Sequence, residues 1–321
     1  MATDRFAISI EEIEAARERL RGVVTRTPLV PLNVDGAPAA IFLKLENLQP
    51  IGSFKLRGAF NAMAVATPEQ LAGGVYTASA GNMAQGVAWS ARRLSVPCTV
   101  VVPDHAPATK LAAIERMGGT IIKVPFDVWW NVIITHKYDG IEGLFIHPVS
   151  DRAVMAGNGT IGLEILDDLA DVDAIVIPYG GGGLSCGIAS AIRAVKPSVK
   201  IYAAEVETAA PLAPSLAAGH PVPTAYTPSF IDGIGGKSVL EEMWPLAKAL
   251  LDGSIVVSVA EIAAAVKTLA ERNRVIAEGA GAAALAAAMT GRAGSGKVVC
   301  IVSGGNIDAA NFATILAGGV P

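Results

Sequence analysis

The chain of 321 residues is 52% hydrophobic and carries 34 glycines, enough to bury a large core and to divide into two lobes. Its formal net charge of -4 advertises no basic face, which excludes nucleic acid and anionic membrane surfaces as partners. Apolar runs such as 280–289 are too short and too rich in alanine to span a bilayer, and Met1-Ala2-Thr3-Asp4-Arg5 starts no signal peptide, so the reading is a cytoplasmic protein.

Ser9 and Glu12 form a capping box ahead of a helix running to about residue 21, and Thr25-Arg26-Thr27-Pro28 breaks it. An extended run over 41–45 is stopped by Pro50 and Gly52, and a helical pattern of Phe60, Met63 and Ala64 follows. Lys55, in Ser53-Phe54-Lys55-Leu56-Arg57-Gly58, therefore sits where a loop gives way to the first turn of a helix. The positive end of the helix dipole opposes a cation there, and partial burial lowers its pKa further. The neutral amine is the nucleophilic form, so Lys55 is a candidate Schiff-base former. On this stretch alone the alternative is a solvated surface lysine.

From Val75 onward, short β-branched runs (98–102, 120–124, 144–146, 174–177, 200–204 and 298–302) alternate with helical patterns. That alternation predicts an α/β fold of mainly parallel twisted sheets flanked by helices. The middle third makes its own strand-helix units, so residues 67–142 are expected to form a small mobile lobe inserted into a large one of 1–66 and 143–321.

Ser79-Ala80-Gly81-Asn82 follows a strand and opens a helix over 83–93, offering backbone donors suited to a carboxylate; an ordinary loop is the alternative. Gly180-Gly181-Gly182-Gly183-Leu184 lies between a strand and a helix. Four glycines let N–H groups converge at a helix N-terminus, a phosphate cradle, where a plain turn needs one or two. A dinucleotide fingerprint fails here because the glycines are contiguous and Ser185 takes the third slot. Residues 211–236, rich in Pro, Gly and Thr, read as a surface excursion bordering a site. Ser258 with Glu261 caps another helix, and a small-residue helix begins at Gly279. Gly291-Arg292-Ala293-Gly294-Ser295-Gly296-Lys297 imitates a Walker loop, but Val298 replaces the magnesium-binding hydroxyl and a strand follows it, so it reads as a turn. Ser303-Gly304-Gly305-Asn306 ends the last strand, and loops at the carboxyl ends of parallel strands converge on ligands. Cys98, Cys186 and Cys300 are far apart and read as buried thiols; His105, His136, His147 and His220 show no metal-ligand spacing.

Together, the Ser53–Gly58, Ser79–Asn82, tetraglycine, Glu278-Gly279-Ala280 and Ser303-Gly304-Gly305 stretches resemble the threonine/serine dehydratase and serine racemase family of fold type II pyridoxal-phosphate enzymes. The order is the family's, over nearly the whole chain. The resemblance implies pyridoxal 5'-phosphate as cofactor, with Lys55 as the Schiff-base lysine and Phe54 lying against the ring. It implies that Asn82 hydrogen-bonds the pyridine 3-hydroxyl and that the backbone of Ser79, Ala80, Gly81, Asn82 and Met83 holds the substrate carboxylate. Gly180, Gly181, Gly182, Gly183 and Leu184 would hold the phosphate, Ser303 would meet the ring nitrogen, and Glu278 would border the cofactor. A serine hydroxyl cannot protonate that nitrogen, so the ring is a weaker electron sink and elimination of a β-leaving group is favoured.

Met83 stands where the family's carboxylate loop has histidine, and Ala80 where racemases carry a serine acid/base, which speaks against racemisation. Glu205 and the Ala209 carbonyl match two protein ligands of the family's divalent-cation site, but Pro211 replaces its aspartate, so the expectation is no metal. The chain ends near Pro321 without a regulatory domain, as in the short catabolic enzymes. The expected activity is dehydration and deamination of a β-hydroxy amino acid, L-threonine or L-serine, to a 2-oxo acid and ammonia, by a homodimer or homotetramer. Phenylserine is the alternative: one of Trp129 and Trp130, on a helix over 126–138, would enlarge the pocket together with Met83, whereas the plainer reading packs both tryptophans as core. The failed glycine spacing speaks against a dinucleotide oxidoreductase, and Lys55 against a non-catalytic binder.

Overall fold

A computed structural model describes residues 8–321. The strands in chain order are β1 (Leu29–Pro31), β2 (Ala40–Lys44), β3 (Val75–Ala78), β4 (Cys98–Pro103), β5 (Thr120–Val124), β6 (Leu144–Phe145), β7 (Ala174–Pro178), β8 (Lys200–Val206), β9 (Gly253–Val257) and β10 (Lys297–Ile301). They make a six-stranded sheet of order β1-β2-β10-β7-β8-β9 and a four-stranded sheet of order β5-β4-β3-β6. Every pairing is parallel except β1 with β2, and helices connect most of the strands, as the alternation of patterns requires.

Both faces of each sheet are covered, which is why the strands read as continuous apolar runs. Along β7, Ala174 and Val176 enter one core with β2, β8 and the helix Gly279–Met289, while Ile175 and Ile177 enter the other with the helix Gly183–Val195. The capping boxes at Ser9 and Ser258 form as the sequence predicts. Two strands carry no clear sequence signal: β1 is three residues long, and β9 begins with Gly253 and Ser254.

One helix, Lys55–Ala64, belongs to both layers. Its Ala59, Ala62 and Met63 share a core with Met83, Ala84 and Val87 of the helix Asn82–Leu94, against β3 and β4. On its other side it meets the helix Arg152–Asp168 so closely that a Cβ on Gly157 would lie 2.5 Å from the Arg57 carbonyl.

Candidate active site

Because β2, β10 and β7 are parallel neighbours, the loops after them leave the same carboxyl edge of the large sheet. The first two are stitched together: Phe54 N–H donates to Ser303 O at 3.0 Å, Gly305 N–H to Gly52 O at 2.9 Å, and Ser53 bridges Gly304. Lys55 thus starts its helix beside Ser303. Its Nζ donates to the Pro148 carbonyl at 2.7 Å and stands 5.2 Å from the centre of the Phe54 ring. Burial holds the amine down at about 8, below the ordinary value of a lysine.

Two residues on, Arg57 is 1% exposed and anchors this turn. Its guanidinium grips Glu46 with two bonds of 2.8 Å and Glu164 with bonds of 2.7 and 2.9 Å, and Lys44 Nζ reaches Glu164 at 2.6 Å. Two cations and two carboxylates cancel in the interior. Burial alone would raise the Glu46 carboxyl, but the charge and hydrogen bonds of Arg57 outweigh it and hold Glu46 below its ordinary value.

After β7, Gly182 takes φ +98° as the cap of the helix Gly183–Val195. A Cβ on Gly181 would meet the Val149 side chain at 2.5 Å, and one on Gly183 the Val149 carbonyl at 2.5 Å, so only glycine fits between this turn and the segment after β6. Among the described residues, the N–H groups from Gly180 to Leu184 find no protein acceptor, and the first cap bond of the helix runs from Cys186 N–H to Gly182 O. An anion would satisfy them.

Asn82 opens its helix after β3, and its Nδ2 donates to Glu278 Oε1 at 2.8 Å. Glu278 caps the helix Gly279–Met289; burial, reinforced by Asp232, pushes its carboxyl up to about 7. Ser79 Oγ accepts from Gly81 N–H at 3.2 Å, which shapes the turn, and Ala80 beside it brings no hydroxyl. Ser303 is 4% exposed and its hydroxyl has no hydrogen-bond partner among the described residues. Lys55, Asn82, Glu278, Ser303 and the glycine turn are thus linked by a chain of contacts at the carboxyl edge of the large sheet.

Other expected residues lie elsewhere. The Met83 side chain is 2% exposed in the core below β3 and β4, so only its backbone can reach a ligand. Trp129 packs with Tyr76, Ala78 and Val132, while Trp130 is 45% exposed. The buried Glu205 carboxylate accepts from Leu212 N–H at 2.8 Å, Ala213 N–H at 2.9 Å and Ser254 Oγ at 2.6 Å. Ala209 is buried, with its carbonyl close against Gly235. His136, His147 and Glu242 meet although their spacing hides it, with ligand atoms within 4.8 Å. Yet His147 Nδ1 accepts from the N–H groups of Val149 and Ser150, which puts its proton on Nε2 and leaves no lone pair there for a metal.

Sequence reasoning missed Pro148 and Val149. They act through backbone and bulk, and the strand before them, β6, is two residues long. It also missed the contact of Lys110 with Asp232, which joins the helix Ala108–Arg116 to the 211–236 segment beside Glu278.

A soft amine, a row of unpaired N–H groups and an unpaired hydroxyl suit an aldehyde, a phosphate and a ring nitrogen respectively. The relatives agree with that chemistry. The chain is 42% identical over 314 residues to the L-threonine ammonia-lyase of Geobacter sulfurreducens, covering 96% of this chain and 78% of that protein. Its fold matches maize serine racemase with a TM-score of 0.90 at 33% identity, over 98% of each chain. It matches the processed form of threonine deaminase isoform 2 from Solanum lycopersicum with a TM-score of 0.88 at 34% identity, over 96% of this chain and 87% of that one. A family model described as pyridoxal-phosphate dependent enzyme matches residues 20–304, a span that takes in Lys55, the Asn82 loop, the glycine turn and Ser303. With most of its length inside that match, the chain belongs to the pyridoxal-phosphate dependent enzyme family.

Proposed function

We propose that the protein dehydrates and deaminates a β-hydroxy amino acid, L-threonine or L-serine, to a 2-oxo acid and ammonium. The observation that carries this reading is Lys55, an amine lowered to about 8 by burial and bonded to the Pro148 carbonyl next to the Val149 that packs on the glycine turn, in a chain 42% identical to an L-threonine ammonia-lyase. Water leaves from Cα and Cβ and returns on hydrolysis, so the net change is loss of ammonia. Bound pyridoxal phosphate supplies the electron sink that acidifies the Cα–H. Lys55 Nζ takes the Cα proton, the Gly180–Leu184 N–H groups hold the phosphate, and the N–H groups opening the Asn82–Leu94 helix hold the substrate carboxylate. Ser303 Oγ would donate a hydrogen bond to the ring nitrogen and keep its proton, leaving that nitrogen uncharged.

Ala80 offers no proton on the face opposite Lys55, which supports elimination over racemisation. Met83 and Trp129 are engaged in cores, which supports a small side chain over phenylserine. The same reading takes 67–142 as the lobe that moves, and takes the protein as a cytoplasmic homodimer or homotetramer. Incubation with threonine, both serine enantiomers and phenylserine, following ammonium and 2-oxo acid with chiral chromatography of residual serine, tests the assignment. D-serine appearing faster than pyruvate, or phenylserine outrunning threonine in kcat/KM, would overturn it.

Two further outcomes are expected. Capture of pyridoxal phosphate by the cofactor-free protein should accelerate with pH and reach half its limiting rate near pH 8, because the neutral amine attacks and burial has lowered it to about 8. Stopped-flow absorbance checks this; a midpoint above 10 would place Lys55 in solvent. Gly183→Ala drives a methyl against the Val149 carbonyl at 2.5 Å, and that carbonyl cannot swing away as a side chain tip would. Displacement of the turn should raise the Kd for pyridoxal phosphate by at least about tenfold, the loss of one to two charge-assisted hydrogen bonds.

A further inference from the structure

The amide of Asn82 can be reversed with little change of shape, so its neighbours decide which atom points where. Its Nδ2 donates to Glu278 Oε1 at 2.8 Å, and its Oδ1 accepts from Asn306 Nδ2 at 2.7 Å. Asn306 cannot reverse either, because the same Nδ2 also donates at 2.9 Å to the carbonyl of Ile51, which can only accept. Both hydrogens on that nitrogen are used. The Asn82 amide is therefore set, through Asn306, by a backbone carbonyl, and by Glu278 as well while its carboxyl is ionised.

The surroundings are shaped to let these groups meet. Gly52 has φ +74°, and a Cβ there would lie 2.6 Å from Asn306 Oδ1. A Cβ on Gly304 would lie 2.5 Å from Glu278 Oε1 and 3.3 Å from Asn82 Nδ2. The second hydrogen on Asn82 Nδ2 has no acceptor among the described residues.

We propose that Asn306 is a positioning residue: with Glu278 it locks the Asn82 amide so that the remaining N–H, and not the carbonyl oxygen, faces the 3-oxygen of bound pyridoxal phosphate. The inference rests on the reading that Asn82 meets that oxygen. An N–H presented there stabilises the ionised 3-oxygen, whereas an amide oxygen turned to the same place would oppose it. The cofactor's visible absorbance follows that ionisation, so it reports the orientation of the amide.

The test compares holoenzymes of the parent, Asn82→Ala, Asn306→Ala, Asn306→Asp and the double variant Asn82→Ala/Asn306→Ala. Each is read by visible absorbance across pH and by pyridoxal phosphate titration. Asn306 is exposed, and aspartate matches its shape, so both single replacements at this position should leave the fold intact. Asn306→Asp keeps the volume but loses both donors, and its carboxylate draws the Asn82 N–H groups toward itself. Both Asn306 variants should move the pH midpoint of the visible band in the direction set by Asn82→Ala. Asn306→Ala should raise the Kd for the cofactor about fivefold, the worth of one net hydrogen bond, and the double variant should shift no further than Asn82→Ala alone. Parent-like bands in both Asn306 variants, beside a shifted Asn82→Ala, would overturn the positioning role. An unshifted Asn82→Ala would instead remove the contact between Asn82 and the 3-oxygen, and the proposal with it.

Discussion

Lys55→Ala is expected to turn over threonine and serine at least about a thousandfold more slowly than the parent, since in the proposed function one residue supplies both the nucleophilic amine and the Cα base. The visible band of the lysine-bound cofactor should vanish with it, while pyridoxal phosphate should still be retained through its phosphate if the glycine turn holds it as proposed. Stability should not fall, because the amine removed is one that burial already disfavours in its charged form, held at about 8. Loss of activity with an unchanged or higher Tm therefore separates lost chemistry from lost structure. A variant keeping both the band and the turnover would remove Lys55 from the site.

The second large effect is on stability. Arg57→Met fills the space of the guanidinium but leaves Glu46 and Glu164 without their common cation, with Lys44 alone to compensate. Breaking a buried ion pair from one side costs about 3–5 kcal/mol, a large part of the roughly 5–15 kcal/mol that keeps a domain folded. The urea midpoint should fall accordingly. The sign of the pH dependence follows from Glu46, whose carboxyl Arg57 holds below its ordinary value. The stability this contributes is present above the carboxylate range and is lost as pH falls through the folded value. The variant lacks that contribution, so its deficit should shrink as pH is lowered toward the carboxylate range. An unchanged midpoint at pH 8 would show that the four charges do not act together.

Residues whose chemistry declares itself were legible before any fold was known. Lys55 at a loop-to-helix junction, four contiguous glycines and the Ser79–Asn82 turn each combine a local pattern with a reason for it; parallel strand order brings the first two to one edge of the large sheet, and the third, leaving β3 of the small sheet, meets Glu278. What stayed hidden is what acts by position alone. Val149 limits the glycine turn by bulk, and Pro148 offers only a carbonyl to Lys55. Met83 read as a pocket residue because it stands where the family's carboxylate loop has histidine. It sits in the first turn of a helix, where successive side chains point about 100° apart, and its own direction leads into the core. β9 was missed because its first two residues, Gly253 and Ser254, look like the turn before the Ser258 cap.

The Lys55–Ala64 helix touches its neighbours backbone to backbone: a Cβ on Gly86 would lie 3.2 Å from the Lys55 carbonyl and one on Gly157 2.5 Å from the Arg57 carbonyl; the next pair of helices is as close, a Cβ on Gly187 lying 2.4 Å from the Met155 carbonyl. The separation between the amine and the Asn82 loop is therefore gauged by main-chain thickness, a dimension that mutation cannot adjust. In a saturation library selected for growth on threonine as nitrogen source, these helices should tolerate exchange across their outer faces yet return glycine alone at 157 and 187, with alanine admitted at 86 only in clones of reduced fitness. Drift in such a lineage can repaint the enzyme's surface freely, while the spacing of its reactive groups is inherited as a fixed length.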